Sequence, residues 1–548
     1  MRDHLPPPEE QARRDLSGLP QAADWPEMMN SAARLLDPAL GPGRPALHFP
    51  GPDGGFSTLT RGQLAERVAA LAAVLVEDLG LIPGQRVLLR APNTPMLATA
   101  WLAVLWAGGV AVATMPLLRA GELAHILGKA RVNLALCDAT LTDELAAAID
   151  AAQVAGLEPP LLTHGSGAPD AAPAGQLDSL LAAALAAGRR LPPCPTRADD
   201  PALIAFTSGT TGPAKGTVHD HRDLAAIDAL VPPRLELGCD DITLGSPPLA
   251  FTFGLGALLT FPLSVGASAV LLPAPSPEAL LQALAATRAT VLFTAPTAYR
   301  ALAGLIEAGA PLAPPRLCVS AGEHLPGPDF ERWRKLTGHS IVNGIGATEL
   351  LHIFIAATGA DARPGTTGRP IPGYRARLLD EAGQPVPPGQ PGRLAIQGPT
   401  GCRYLADRAR QRAYVHDGWN LTGDLFRMDE DGLFWYLGRA DDMIISAGYN
   451  IGGPEVESCL LAHPLVEDCA VVGLPDPERG QVVAAHVILS DPAAAGPATA
   501  RALQDFVKAR LAPYKYPRRV LFVDRLPRTA TGKLQRFRLR PTDTGDGP

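Results

Sequence analysis

The 548-residue sequence predicts an α/β fold that ends in a smaller mixed unit. Helical and strand-like runs alternate over the first 200 residues, and the alternation resumes at Ala202. After Leu394 the pattern breaks into shorter strands and turns, and a last unit opens near Asp441. Alternating β and α runs are the mark of a largely parallel sheet covered by helices. A chain of this length divides into about two to four compact units, because single cores stop growing well short of it.

Taken in order, Arg61 to Leu79 has helical spacing, and Arg86 to Arg90 and Leu134 to Cys137 are short β runs. The stretch Ala98 to Leu118, ATAWLAVLWAGGVAVATMPLL, is uncharged over about the length a bilayer requires. Its central Gly108-Gly109 and the β-prone VAVAT read instead as a buried helix turning into a buried strand, so no membrane association is expected. Leu157 to Asp200 is rich in Ala, Pro and Gly and reads as a long surface connection ahead of a functional element. From Ala202 onward LIAF, ASAVLLP, ATVLFT, LCVSA and SIVNGIG are strands, and after Leu394 so are LAIQG, GWNLTGD and GLFWYLGR. The final stretch offers a strand in MIISAG, a helix over Pro454 to Leu461, the strands CAVVGL and VVAAHVIL, a helix over Ala500 to Leu511, and RRVLFVD. This places a domain border at Asp441, dividing the chain into 1–440 and 441–548.

Composition narrows the function. Apolar residues at 47% and charged residues at 19% describe a globular protein rather than a disordered one. A net charge of −7 gives no general attraction to nucleic acid or anionic membrane, so a phosphate site must be built locally. The seven cysteines form no C-x-x-C pair, which argues against a zinc site or a disulfide framework. Met1 to Glu10 lacks the apolar core of a signal peptide, and reduced thiols in the cytoplasm are expected.

Phe206 to His221 reads FTSGTTGPAKGTVHDH. Thr207, Ser208, Thr210 and Thr211 supply hydroxyls, Gly209 and Gly212 let the backbone turn its N–H groups inward, and Lys215 adds a cation. A polyphosphate needs that combination of short donors, bendable backbone and positive charge. The spacing is not that of a Walker A loop, which requires Gly-Lys-Ser/Thr. Four further segments follow: SAGEHLP at Ser320, NGIGATEL at Asn343, Thr422-Gly423-Asp424, and GRADDMIISAGYNIGGPEVE at Gly438. Pro527 to Arg536, PRTATGKLQR, comes last. The chain has only six lysines against 42 arginines, yet Lys215 and Lys533 both fall inside these segments.

Together these segments resemble, in order along almost the whole chain, the acyl-adenylate-forming superfamily of acyl- and aryl-CoA ligases, adenylation domains and luciferases. One departure is Ala214, where the family usually has proline. The resemblance implies a large N-terminal domain of two α/β layers, a β-barrel-like piece near Leu394 to Tyr436, and a small mobile C-terminal α+β domain. It implies ATP or AMP binding by Thr207, Ser208, Gly209, Thr210, Thr211, Gly212, Gly322, Glu323, Asn343, Gly344, Thr348, Asp424 and Arg439. In that reading Thr348 bonds the α-phosphate, Glu349 holds Mg²⁺, Asp424 takes the ribose, Asp441 is the hinge and Gly448 borders the CoA tunnel. Lys215 and Lys533 join Thr348 and Glu349 as the catalytic set, with Lys533 entering the site for the first half-reaction.

The chemistry follows. A carboxylate is a poor electrophile until it gains a leaving group, so it attacks the α-phosphorus of ATP and expels pyrophosphate without any protein nucleophile. A thiol then attacks the acyl carbon. The chain ends twelve residues after Arg536, which implies a free thiol acceptor, coenzyme A, rather than a fused carrier domain. PPLAFTFGLGAL at Pro247 and the run through His352 look most like benzoate– and 2-aminobenzoate–CoA ligases, acting in aromatic acid degradation. The implied acid pocket is Phe251, Gly254, Ser320, Ala321, Gly346 and His352, with Gly256 and Gly344 widening a flat slot. A medium-chain fatty-acyl–CoA ligase, an enzyme loading a separate carrier protein and a silent binding homologue are the competing readings. A monomer or homodimer with small-molecule partners, and no nucleic acid, is expected.

Overall fold

The structure is a computed structural model and describes residues 4–17, 19, 25–153, 156, 158–166, 175–207, 214–446, 449–529 and 533–540. Its strands assemble into three sheets. The first has six strands in the order Leu161–His164, Leu134–Asp138, Arg86–Arg90, Val110–Thr114, Pro201–Thr207 and Lys215–Asp220. All neighbours are parallel except the last pair, which is an antiparallel hairpin. The second is larger. Its parallel middle runs Ile341–Gly346, Leu317–Ser320, Val291–Thr294, Ile242–Gly245, Ser268–Val270 and Pro45–Pro50. Antiparallel strands between Ile353 and Arg439 extend one side of it. The third sheet has five strands between Ile444 and Phe522 and carries its own helices, Gly453–Leu461 and Pro497–Lys508. Its core is a separate cluster that includes Ile444, Val456, Leu460, Val483 and Leu503.

Local rules account for the elements. VLFT at Val291 and LCVS at Leu317 are uninterrupted apolar runs because helices cover both faces of a parallel sheet. Pro95 starts the helix Pro95–Trp106 under a Thr94 cap. The uncharged stretch from Ala98 is that helix, a turn at Gly108 with φ +78°, and the strand Val110–Thr114, as its glycines suggested. Among the described residues no helix is long and apolar enough to cross a membrane.

Two expectations need correction. The stretch from Leu157 to Asp200 is not a bare connection: it supplies the edge strand Leu161–His164 and the helix Gln176–Ala186, whose Leu177 and Leu181 are buried. Alanine beside leucine gives little contrast between the buried and exposed faces of this helix, so its periodic signal is weak. The last helix spans Pro497–Lys508 rather than starting at Ala500, because proline is favoured in a first turn.

The two larger sheets meet at a buried charge cluster. Asp220 and Asp223, at the start of the helix His221–Arg234, have fully buried side chains. Arg14 reaches Asp220 at 2.7 Å, and Arg403 reaches Asp220 at 3.2 Å and Asp223 at 3.1 Å. His219 lies 3.6 Å from Asp223 through Nδ1, and its Nε2 donates to the Thr348 carbonyl at 2.7 Å. The hairpin strand also pairs with the loop that carries Arg403, through Val218 N–H to Arg403 O and Leu405 N–H to Gly216 O, both 2.9 Å.

Close backbone approach fixes one glycine on the antiparallel side. Gly368 has φ +88°, and a Cβ there would stand 2.3 Å from the Ala356 carbonyl oxygen. Gly368→Ala should destabilise the protein by about 2 kcal/mol or more, read as a lower midpoint in urea unfolding.

Candidate active site

A cavity of about 1080 Å³ lies where the three sheets converge. Thr207 and Lys215 enter it as facing residues of the hairpin, since Thr207 pairs directly with Lys215 at its last described rung. The expected loop is therefore narrower than Thr207 to Gly216: its two ends are strand. Ser208, Gly209, Thr210, Thr211 and Gly212 lie outside the described residues, as does Gly448.

The strand Ile341–Gly346 and the turn Thr348–Leu350 form a second wall, with Asn343, Gly344, Gly346, Thr348 and Glu349 facing the cavity. Asn343 donates through Nδ2 to Thr366 O at 2.9 Å, which ties this strand to its antiparallel neighbours. The Tyr404 hydroxyl donates to Glu349 Oε1 at 2.6 Å, so the carboxylate is held by a residue 55 positions away. Among the described residues no group of three or more His, Cys, Asp or Glu is arranged to hold a metal ion. A protein-built metal cage is thus absent there, while one fixed carboxylate suits Mg²⁺ that arrives on phosphate oxygens.

The third wall holds Asp424 and Arg439, opposite each other in paired strands. Arg439 lies 3.2 Å from Asp424 Oδ1 and donates to Thr422 O at 3.0 Å. Burial pushes the Asp424 carboxyl up from the ordinary carboxylate range, and the Arg439 charge opposes that shift. Gly423 between them has φ +78°, and a Cβ there would meet the Arg439 guanidinium at 2.9 Å. Asp441 sits in the turn that joins the strand Phe434–Arg439 to the third sheet, 3.6 Å from Arg439, and also faces the cavity.

Lys533 reaches the same cavity from the C-terminal hairpin, and its charge acts on both Glu323 and Asp424. Glu323 is mostly buried, which raises its carboxyl to about 7 even with Arg528 opposing at 3.2 Å. Gly322 and Ala321 line the cavity beside it.

Phe251, Phe253, Gly346 and His352 make an uncharged wall. The His352 ring packs edge-on against Phe261 at 4.5 Å and lies 5.7 Å from Phe253. Burial lowers its imidazole to about 3, so it is neutral at physiological pH. Its Nε2 lies 3.3 Å from Phe253 O, and a carbonyl only accepts, so the proton is on Nε2. Nδ1 is then a buried acceptor with no partner among the described residues.

Three residues of the expected slot stand elsewhere. Ser320 is fully buried behind Ala321 and does not line the cavity. Gly254 packs on backbone, where a Cβ would be 2.1 Å from Pro248 O, and Gly256 yields its space to the His352 ring at 2.5 Å. Their glycines serve packing rather than an open slot. Sequence reading missed Tyr404, His219 and Arg528, because a lone tyrosine, histidine or arginine carries no signal until the fold brings its partner near.

The chain was compared with known proteins. Residues 37–404 match the model described as AMP-binding enzyme, and residues 455–533 match that described as AMP-binding enzyme C-terminal domain. A benzoate–CoA ligase of Thauera aromatica is 36% identical over 96% of this chain and 98% of its own. The crystal structure of the anthranilate CoA ligase AuaEII in complex with anthranoyl-AMP superposes with a TM-score of 0.85 at 31% identity, covering 94% of this chain and 98% of that one. A benzoate CoA ligase from Burkholderia xenovorans LB400 gives 0.84 at 35% identity, over 94% of this chain and 100% of that one.

The Asp424–Arg439 pair sets a pH dependence. A buried carboxyl with a raised pKa is ionised only above that pKa, so nucleotide binding that needs its charge falls as pH drops through it. Removing the opposing cation raises the pKa further. Arg439→Met should therefore move the acidic limb of the kcat/KM profile for ATP to higher pH, measured from pH 5 to 9.

Proposed function

The chain belongs to the AMP-binding enzyme family, and on that premise we propose that it joins an aromatic carboxylic acid of the benzoate or 2-aminobenzoate type to coenzyme A through an acyl-adenylate. It is an AMP-forming acid–thiol ligase that uses ATP, Mg²⁺ and CoA. The observation that carries the aromatic reading is the uncharged wall of Phe251, Phe253, Gly346 and neutral His352 in the same cavity as Lys215, Thr348, Glu349, Asp424 and Lys533.

In the first step a carboxylate oxygen of the acid attacks the α-phosphorus of ATP, a new O–P bond forms, and pyrophosphate leaves with the electrons of the broken bond. Negative charge builds on the α-phosphate oxygens. Lys533 and Thr348 stabilise that charge, and Lys215 with the hairpin loop carries the departing pyrophosphate. Magnesium, held by Glu349, supplies charge neutralisation on the phosphates when bound. Asp424 accepts from the ribose hydroxyls, with Arg439 holding its carboxylate. In the second step the CoA thiolate attacks the acyl carbon and AMP leaves. Asp441 is the pivot that exchanges the two arrangements of the C-terminal unit, 441–548, against residues 1–440, and Gly448 borders the thiol path.

An acid panel tests the reading with ATP, Mg²⁺ and CoA present. Benzoate and 2-aminobenzoate should exceed medium-chain fatty acids in kcat/KM by about tenfold or more. Dominance of fatty acids sinks the aromatic assignment.

A second measurement separates the steps. Lys533→Ala should lower acid-dependent exchange of pyrophosphate into ATP by about 10²- to 10³-fold, the loss typical of one preorganised charge-stabilising group. Thioester formation from preformed acyl-adenylate and CoA should change little.

A further inference from the structure

Resting on the adenylation reading above, we propose that Asp468 is a positioning residue for Lys533, acting as the shared acceptor of two arginines that pins the hairpin of the lysine against the rest of the cavity. Arg300, on the helix Pro296–Glu307, reaches Asp468 Oδ1 at 2.6 Å. Arg528, on the C-terminal hairpin, reaches Asp468 Oδ2 at 2.8 Å. Each arginine also has a second carboxylate: Asp329 at 2.7 Å for Arg300, and Glu323 at 3.2 Å for Arg528. The result is an alternating chain of charge, Asp329–Arg300–Asp468–Arg528–Glu323. Both of its ends are anchored beside the second sheet, while Asp468 belongs to the strand Val466–Asp476 of the third.

The path from Asp468 to Lys533 is short. Arg528 pairs with Leu534 across the hairpin, Thr529 N–H donates to Lys533 O at 2.7 Å, and Lys533 N–H donates to Thr529 Oγ1 at 3.0 Å. Fixing the Arg528 guanidinium therefore fixes the backbone from which the lysine ammonium extends. The three side chains at the centre are 15%, 18% and 25% exposed, so salt screens them less than it would a surface pair. Ionic contacts of this kind also suit a joint that must open. When the third sheet turns away, each charge regains water, which offsets the loss of its partner in a way that separated apolar surface does not.

Arg300, Asp468 and Arg528 also line the cavity, but none of them, nor Asp329, makes or breaks a bond in either step as proposed, so the effect of the network is confined to one arrangement of the chain. The test uses full-length wild type, Asp468→Asn and Arg300→Met, each assayed for both half-reactions. Acid-dependent pyrophosphate exchange should fall about 10- to 100-fold in kcat, with the KM for ATP within about threefold, as displacement by an ångström predicts. Thioester formation from preformed benzoyl-adenylate and CoA should stay within about twofold of wild type. Asp468→Glu, which keeps the charge, should recover part of the exchange. Unchanged exchange in Asp468→Asn overturns the proposal, and so does an equal fall in both half-reactions, which is the mark of a merely damaged fold. Wild type without acid-dependent exchange defeats the ligase reading itself, and the positioning role falls with it.

Discussion

Two carboxylates buried at the foot of one helix govern how this protein is put together. Asp220 and Asp223 cannot remain ionised in the interior without cations, and they draw Arg14 from the N-terminal segment and Arg403 from a loop almost two hundred residues later. Their helix leads directly out of the hairpin strand that begins at Lys215, and His219 on that strand holds the Thr348 carbonyl. The hairpin of one sheet is thereby fixed to the turn Thr348–Leu350 beside the other. Such clusters contribute little net stability, since desolvation consumes most of the attraction, but removing one member leaves an uncompensated charge and is costly. The cluster therefore acts as a constraint on register between sheets more than as a source of folding energy.

Charge is arranged differently at the cavity itself. The arginines near it are paired, Arg439 with Asp424, Arg536 with Glu457 at 2.8 Å and Arg528 with Glu323 and Asp468, which fixes geometry. The two cations that face the reacting phosphates in the proposed mechanism are lysines, compact ammonium groups on flexible stems. The division is sensible for a site in which one cation has to arrive and withdraw while its surroundings hold their shape.

Much of this was legible in the residues. The α/β alternation gave the parallel middle of both large sheets, and the ordered segments around Lys215, Glu349, Asp424 and Lys533 all meet in one cavity. What escaped was of two physical kinds. The helix Gln176–Ala186 is built largely of alanine and leucine, so its periodicity is faint, and the edge strand Leu161–His164 is too short to announce itself. The supporting contacts, Tyr404 on Glu349 and Arg300 on Asp468, join residues far apart in the chain, where no local spacing records the pairing. Glycines misled for a related reason: Gly254 and Gly256 look like room for a substrate, yet backbone and the His352 ring already fill that room.

The fit between Gly256 and His352 also limits how this wall of the cavity can be altered. A Cβ at 256 would stand 2.5 Å from the imidazole, so any larger residue there is closed off while the histidine remains. Shrinking residue 352 alone does not clear the place, because the Phe261 ring would still stand 2.8 Å from a Cβ at 256. Positions 256, 261 and 352 are therefore interlocked, and a larger residue at 256 needs room made at both rings, a constraint set by van der Waals radii alone.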